Sequence, residues 1–300
     1  MKKLITTIIL FVSPIIVYLV ALEIVLGRIP NSYSYKYNFI KTQGGSVEAI
    51  AMGHSQLYDD FYPQYFDLST FNLSNSNQTY EDNYYLLEEL LPFMPNLKVV
   101  IFPIGYFDVG EAKQEDEITD RSRYYHKYMN IDYDGRLPLK YKYECLNPRL
   151  ATNKVYQYYV QHVDIVGCDS LGTRNNHHLK DRPEGLGYGK LNRYTVKANT
   201  DLCIRGMSYL ERAIQMLVNS GIKVVLVSPP YYWGNYNGTN KEQKVFVKKA
   251  INKLCDDYPI VYVDLEENSS FKYDDFYDET HLNEIGGEKF TRILNNYLKN

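Results

Sequence analysis

The chain has 300 residues, with 33 Lys and Arg against 36 Asp and Glu, for a net charge of −3. That balance supplies no basic stripe for a phosphate backbone and excludes nucleic acid as a partner. Four cysteines, Cys145, Cys168, Cys203 and Cys255, show no CxxC spacing, which argues against a zinc knuckle; outside the cell disulfides are open to them, with Cys145, Cys168 and Cys203 nearest in sequence.

Met1-Lys2-Lys3 is basic, and Leu4 to Leu22 is an almost unbroken apolar run. At ~1.5 Å per residue it is long enough to cross a hydrocarbon core of roughly 30 Å. Lysines precede the run, so the positive-inside bias puts the amino terminus in the cytoplasm and everything after about Asn31 outside. A cleaved signal peptide is the rival reading, but Leu22-Glu23-Ile24-Val25-Leu26-Gly27 offers no small-x-small cleavage site, which favours a retained anchor. Pro14 reads as a tolerated kink and Glu23 as a residue of the outer interface. The expected division is an anchor over residues 1–30 and an extracytoplasmic domain over 31–300, with an insertion over 111–200. Without Lys2, Lys3, Arg28 and Glu23, that domain carries 30 basic against 35 acidic side chains.

Strands then alternate with helices. Val47 to Met52 is a short apolar run ending at Gly53, and Thr70 to Leu73 is a second run ending in a polar loop. Asp82 to Phe93 has helical spacing and precedes the strand Leu97 to Phe102, whose regular pairing should end there because Pro103 has no N–H. About Gly110 to Asn199 reads as irregular and rich in tyrosine, one share of the chain's 31. Leu202, Met207, Leu210, Ile214 and Leu217 mark a helix face closed by Gly221, and Ile222 to Val227 is a buried strand. Val247, Ala250, Ile251 and Leu254 line the next helix, Ile260 to Val263 forms the last strand, and Phe290, Ile293, Leu294, Tyr297 and Leu298 stripe the final helix. The alternation predicts an α/β fold with a central parallel sheet, whose site lies at the carboxyl ends of the strands.

Two motifs follow strands at that edge: Gly53-His54-Ser55-Gln56 and Asp278-Glu279-Thr280-His281. A serine hydroxyl becomes a nucleophile when a histidine takes its proton, and a carboxylate fixes that histidine's tautomer. Ser55, His281 and Asp278 are the candidate triad, with Asp274 and Asp275 as alternative orienting groups. His177-His178 with Asp169 and Asp181 resembles a loose metal cluster, but such loop clusters are mostly solvated, and no metal is assigned. Tyr231, Tyr232 and Trp233 close a strand at the same edge and can either stack on a sugar ring or pack the insertion.

These blocks resemble the SGNH/GDSL hydrolase superfamily over most of residues 47–110 and 205–300. Gly53-His54-Ser55-Gln56 is similar to its first block, Asn72-Leu73-Ser74-Asn75-Ser76-Asn77-Gln78 to its second, Gly105-Tyr106-Phe107-Asp108 to its third and Asp278-x-x-His281 to its last. The resemblance implies a three-layer, flavodoxin-like α/β/α fold, Ser55 as nucleophile, His281 as base, Asp278 as its orienting group, and an oxyanion hole from the N–H groups of Ser55 and Asn77. Asn77 stands where the family has Gly, and Asn is the next-best residue at positive φ. Phe107 stands where the family has an asparagine donor, a loss of about 2.7–4 kcal/mol of transition-state stabilisation unless Asn75 or Gln78 substitutes. An anchor followed by such a domain resembles the DltD-like proteins of teichoic acid D-alanylation and, more loosely, envelope polysaccharide O-acetylation factors. That implies acyl transfer to an envelope glycan beside a membrane-bound O-acyltransferase, without metal or organic cofactor. The tyrosine-rich insertion is then expected to fold over the catalytic edge as a lid or acceptor wall. A glycan esterase and a non-catalytic scaffold are the alternatives.

Overall fold

The computed structural model describes residues 2–106, 108, 121–183, 201–232 and 241–299. They fall into two compact units, Met1–Tyr35 with Asp116–Gly167, and Lys36–Glu115 with Cys168–Asn300.

The larger unit is built on five strands, β1 (Ala49–Ala51), β2 (Thr70–Asn72), β3 (Val99–Pro103), β4 (Lys223–Ser228) and β5 (Val261–Asp264). All pair in parallel, in the order β2-β1-β3-β4-β5. In a sheet of this order the crossovers reverse direction between β1 and β3, and the carboxyl ends of those strands open a crevice. Alternation assigns the side chains. Ala49, Ala51, Val99, Ile101, Val225 and Val227 face one core with Leu57, Phe290 and Leu294. Ile50, Val100 and Leu226 alternate with them and are equally buried.

The helices flanking this sheet are α2 (Ser32–Gln43), α3 (Ser55–Asp60), α4 (Tyr80–Leu90), α7 (Asp201–Asn219), α8 (Lys241–Asp257) and α9 (Glu284–Lys299). Thr79 and Asp82 close a reciprocal capping box that starts α4, and Gly221, at φ +73°, ends α7 as the sequence predicts. β3 runs one residue past Phe102, with Pro103 opposite Val227. Backbone groups of successive residues point to opposite neighbours, so the missing N–H of Pro103 falls on the β1 side, beyond Ala51, and no ladder bond is lost.

The smaller unit holds α1 (Lys2–Gly27), α5 (Ser122–Met129) and α6 (Pro148–Tyr159). Lys3–Gly27 has a mean hydropathy of 2.7 and is long and apolar enough to cross a membrane. Its carboxyl end is packed. Leu22, Leu26 and Ile29 are buried with Cys145 and Ala151, and Glu23 pairs with Lys127 at 2.6 Å and accepts the Cys145 N–H at 2.9 Å. Lys127 also pairs with Glu144 at 3.1 Å, and Glu144 with Lys154 at 2.9 Å. The stretch read as irregular therefore contains two helices. The signal for α6 was present in Asn147 as its cap, Pro148 at its first turn, and Ala151, Val155 and Tyr158 on one face. Exposed apolar side chains on the opposite face masked the period. None of the four cysteines is joined to another in a disulfide.

Candidate active site

Ser55 is positioned by a turn with no room for a larger residue behind it. A Cβ on Gly53 would lie 2.5 Å from the Pro103 ring, so glycine is what lets the end of β1 pass β3. His54 caps α3, its Nδ1 accepting the Gln56 N–H at 3.3 Å, and its Nε2 donates to Asp108 Oδ1 at 2.8 Å. Ser55 is thus the first helical residue, half-buried, in the crevice at the carboxyl ends of β1 and β3.

The loop after β2 is pinned beside it. Asn72 donates its side-chain amide to Leu57 O at 2.7 Å and accepts the Ser74 N–H at 3.0 Å. The Asn75 N–H bonds Gly53 O at 3.1 Å. The buried Lys36 ammonium donates to Ser74 O and lies 4.1 Å from the centre of the Tyr58 ring; burial brings its pKa down to about 7. Asn77 is exposed at φ +54°, the backbone conformation expected where glycine is usual. Gln78 donates its amide to Asn83 at 2.6 Å. Phe107 and Trp233 lie outside the described residues. Tyr231 and Tyr232 are buried, Tyr232 within the core against Tyr273 and Phe276.

The last block closes on α3. An antiparallel bridge between Phe276 and Leu282 folds residues 277–281 into a tight loop. Asp278 Oδ1 accepts the N–H groups of Thr280 at 2.8 Å and His281 at 2.9 Å. Its carboxylate meets His281 Nδ1 at 2.9 Å, and His281 Nε2 meets Ser55 Oγ at 2.9 Å. Gln56 donates to Thr280 O, and Leu282 N–H to Asp60, which tie this loop to the helix bearing Ser55. A chain of these three groups, residues 55, 281 and 278, can pass the hydroxyl proton to the imidazole while the carboxylate holds the tautomer. Asp275 is instead taken by Lys289 at 2.5 Å, and Asp274 lies 3.8 Å from Arg182; neither bonds His281. Burial pushes the Asp278 carboxyl up, but hydrogen bonds from His281 and the two amides outweigh it and hold the acid well below the usual range.

Residues 168–182 return to this unit from the insertion. Gly172, at φ +88°, packs so closely on Asn72 O that a Cβ would come within 2.2 Å. Arg174 then forks onto Asp59, 2.5 Å from each oxygen to its Nε and Nη2. Asp59 Oδ2 is 3.9 Å from His281 Nε2. Beside it Asp60 is fully buried; desolvation, then the Asp59 charge, raise its pKa well above the usual carboxylate range. Asp60→Asn should leave thermal unfolding roughly unchanged, because the amide oxygen still accepts from Leu282. Asp59→Asn should lose about 3–5 kcal/mol by stranding the guanidinium. Equal melting of the two variants would refute the distinction.

His177 stacks on Tyr277 at 4.1 Å and meets His281 edge-on at 5.1 Å, while Asp169 caps the Leu171 and Thr173 N–H groups rather than joining it. Burial pushes its imidazole down to about 4, against about 6.5 in an unfolded chain. Between those values the unfolded state binds the extra proton. Stability should be complete above about pH 6.5 and fall by up to about 3 kcal/mol as the pH drops toward 4. His177→Phe, which keeps the stack, should flatten that loss in denaturant melts taken across the range; an unchanged slope would exclude His177 as its source.

Sequence reasoning did not find the His54–Asp108 pair, the Asp59–Arg174 fork or buried Lys36. Adjacency to Ser55 was a signal for the first, while nothing in the spacing marks the other two. No family model matches the chain, and no curated protein matches it. Solved structures similar to it include the crystal structure of a Bacteroides fragilis protein, a "putative acylhydrolase", at 10% identity over 88% of this chain and 97% of that one, with a TM-score of 0.43. A likeness at that level leaves the function to be argued from the residues.

Proposed function

We propose that this chain is a membrane-anchored, extracytoplasmic serine enzyme of the SGNH type that transfers an acyl group, acetyl or D-alanyl, to a cell-envelope glycan. The observation that carries the reading is the unbroken path from Ser55 Oγ through His281 to Asp278 at the carboxyl edge of a parallel sheet. Ser55 Oγ attacks the acyl carbonyl as His281 Nε2 takes its proton, and the same proton goes to the departing group as the acyl-serine forms. His281 then takes the proton of an acceptor hydroxyl, whose oxygen attacks the acyl-serine and releases Ser55, reprotonated by His281. The N–H groups of Ser55 and Asn77 hold the developing oxyanion. Phe107 supplies no third donor, which slows such a site by about 2.7–4 kcal/mol without silencing it.

Two features support anchoring. α1 is long and apolar enough to span, and its last turns are part of a folded core, so its removal would uncover Cys145 and Ala151 and leave Lys127 without Glu23. An anchored enzyme stays at the membrane to which a membrane-bound O-acyltransferase would deliver the acyl donor. Transfer in place of hydrolysis requires the acceptor to be held close, where effective molarities of ~10⁵ M or more exceed the concentration of water. Deleting the gene should lower ester-linked acetate or D-alanine on purified envelope glycan, and Ser55→Ala should not restore it. A rise on deletion would make the chain an esterase instead, and restoration by Ser55→Ala would make it a scaffold.

A further inference from the structure

α6 has a buried face and a second face that its own unit does not cover. Ala151, Val155 and Tyr158 pack with the end of α1. Around the rest of the helix, and in the turns before it, Leu139, Leu146, Leu150, Tyr156 and Val160 stand in solvent, Leu139 with 69% and Val160 with 59% of its surface exposed. A water-facing helix places polar side chains there. The same stretch, residues 136–160, carries Arg136, Lys140, Lys142, Arg149 and Lys154 against one acid, Glu144, in a chain whose overall charge is −3. Glu144 is buried and paired with Lys154 and Lys127, so the surface excess is cationic.

Position gives this pattern its meaning. The Cys145 N–H bonds Glu23, the first acid after the apolar run, and the cluster reaches from Leu19 to Ile29 of the α1 end. On α1, Tyr18 and Ile24 remain exposed at the same level. Exposed leucine and tyrosine beside lysine and arginine, at the outer end of a span, is the composition of a surface seated among lipid headgroups, with aromatic rings at the interface and cations on anionic lipid. We propose that the exposed face of residues 139–160 lies on the outer leaflet, its apolar side chains at the acyl boundary and Lys140, Lys142 and Arg149 on anionic headgroups. The proposal rests on α1 being a membrane span. It gives the smaller unit two attachments to the bilayer instead of one.

Full-length protein with its single tryptophan replaced, Trp233→Phe, and carrying Leu150→Trp, would be reconstituted in phosphatidylcholine vesicles containing about one-third phosphatidylglycerol, with brominated acyl chains. Tyr18→Trp in the same background reports on α1. Emission from position 150 should fall roughly twofold, as at position 18, and Lys140→Glu, Lys142→Glu and Arg149→Glu together should remove most of the fall at 150 alone. Quenching at 18 without quenching at 150 would overturn the proposal and point to a protein as occupant of this face. Quenching at neither would overturn the reading of α1, and quenching at 150 unchanged by the three glutamates would overturn the assignment to anionic lipid.

Discussion

Ser55→Ala is expected to lower acyl turnover by about 10⁴-fold or more with the fold intact. The fold survives because nothing structural depends on the hydroxyl. The helix cap is the His54 side chain, the turn is fixed by Gly53 against Pro103, and Ser55 Oγ is within bonding distance of His281 Nε2. The first position of a helix accepts alanine readily. Turnover falls because, among the described residues, the other hydroxyl bonded to this ring is Thr280 Oγ1, and it lies at Nδ1, on the Asp278 side, 3.2 Å away. A serine-directed fluorophosphonate should label the full-length protein in detergent and leave the variant unlabelled. Equal labelling of both would assign the nucleophile elsewhere. Far-ultraviolet circular dichroism on the same samples separates lost chemistry from lost fold.

Much of the larger unit was legible because its signals are local. A short apolar run rich in β-branched residues, such as Val224-Val225-Leu226-Val227, reads as a strand buried on both faces, and the order of the motifs follows from parallel strands sharing one carboxyl edge. The spacing of Asp278 and His281 was legible for a similar reason: three residues are enough for one loop to turn a carboxylate onto a ring nitrogen. What could not be read is what depends on distant partners. Asp59 and Asp60 look like a solvated acidic step on a short helix, and they are buried because Arg174 and the Leu282 N–H arrive from 115 and 222 residues away. The partner of Glu23 is equally hidden, because Lys127 comes from a helix whose period is masked among tyrosines. The burial of Tyr231 and Tyr232 was not legible either, because the composition of an aromatic run does not say how deeply its rings will sit.

Asp278→Asn should reduce kcat by about 10⁴-fold with KM little changed, and His281→Ala should reduce turnover at least as far. The contacts Asp278 makes hold its pKa below the usual carboxylate range. As a carboxylate it accepts from His281 Nδ1–H and leaves Nε2 bare toward Ser55. Asparagine keeps an oxygen for the Thr280 and His281 N–H groups, so the loop stays closed. Its amide, however, donates to Nδ1, and the ring proton then sits on Nε2, where it cannot accept from Ser55. The linked stability effect has a definite sign: a depressed folded pKa contributes stability above the unfolded value of about 3.9 that is lost as pH falls through the folded one, so acid melts of the wild type should be steeper than those of Asp278→Asn. Asp274→Asn and Asp275→Asn serve as controls, because neither carboxylate touches the ring, and both should turn over a chromogenic acetyl ester at close to the wild-type rate. Wild-type turnover by His281→Ala on that ester would eliminate the relay, and loss of activity in Asp274→Asn equal to that in Asp278→Asn would move the orienting role off residue 278.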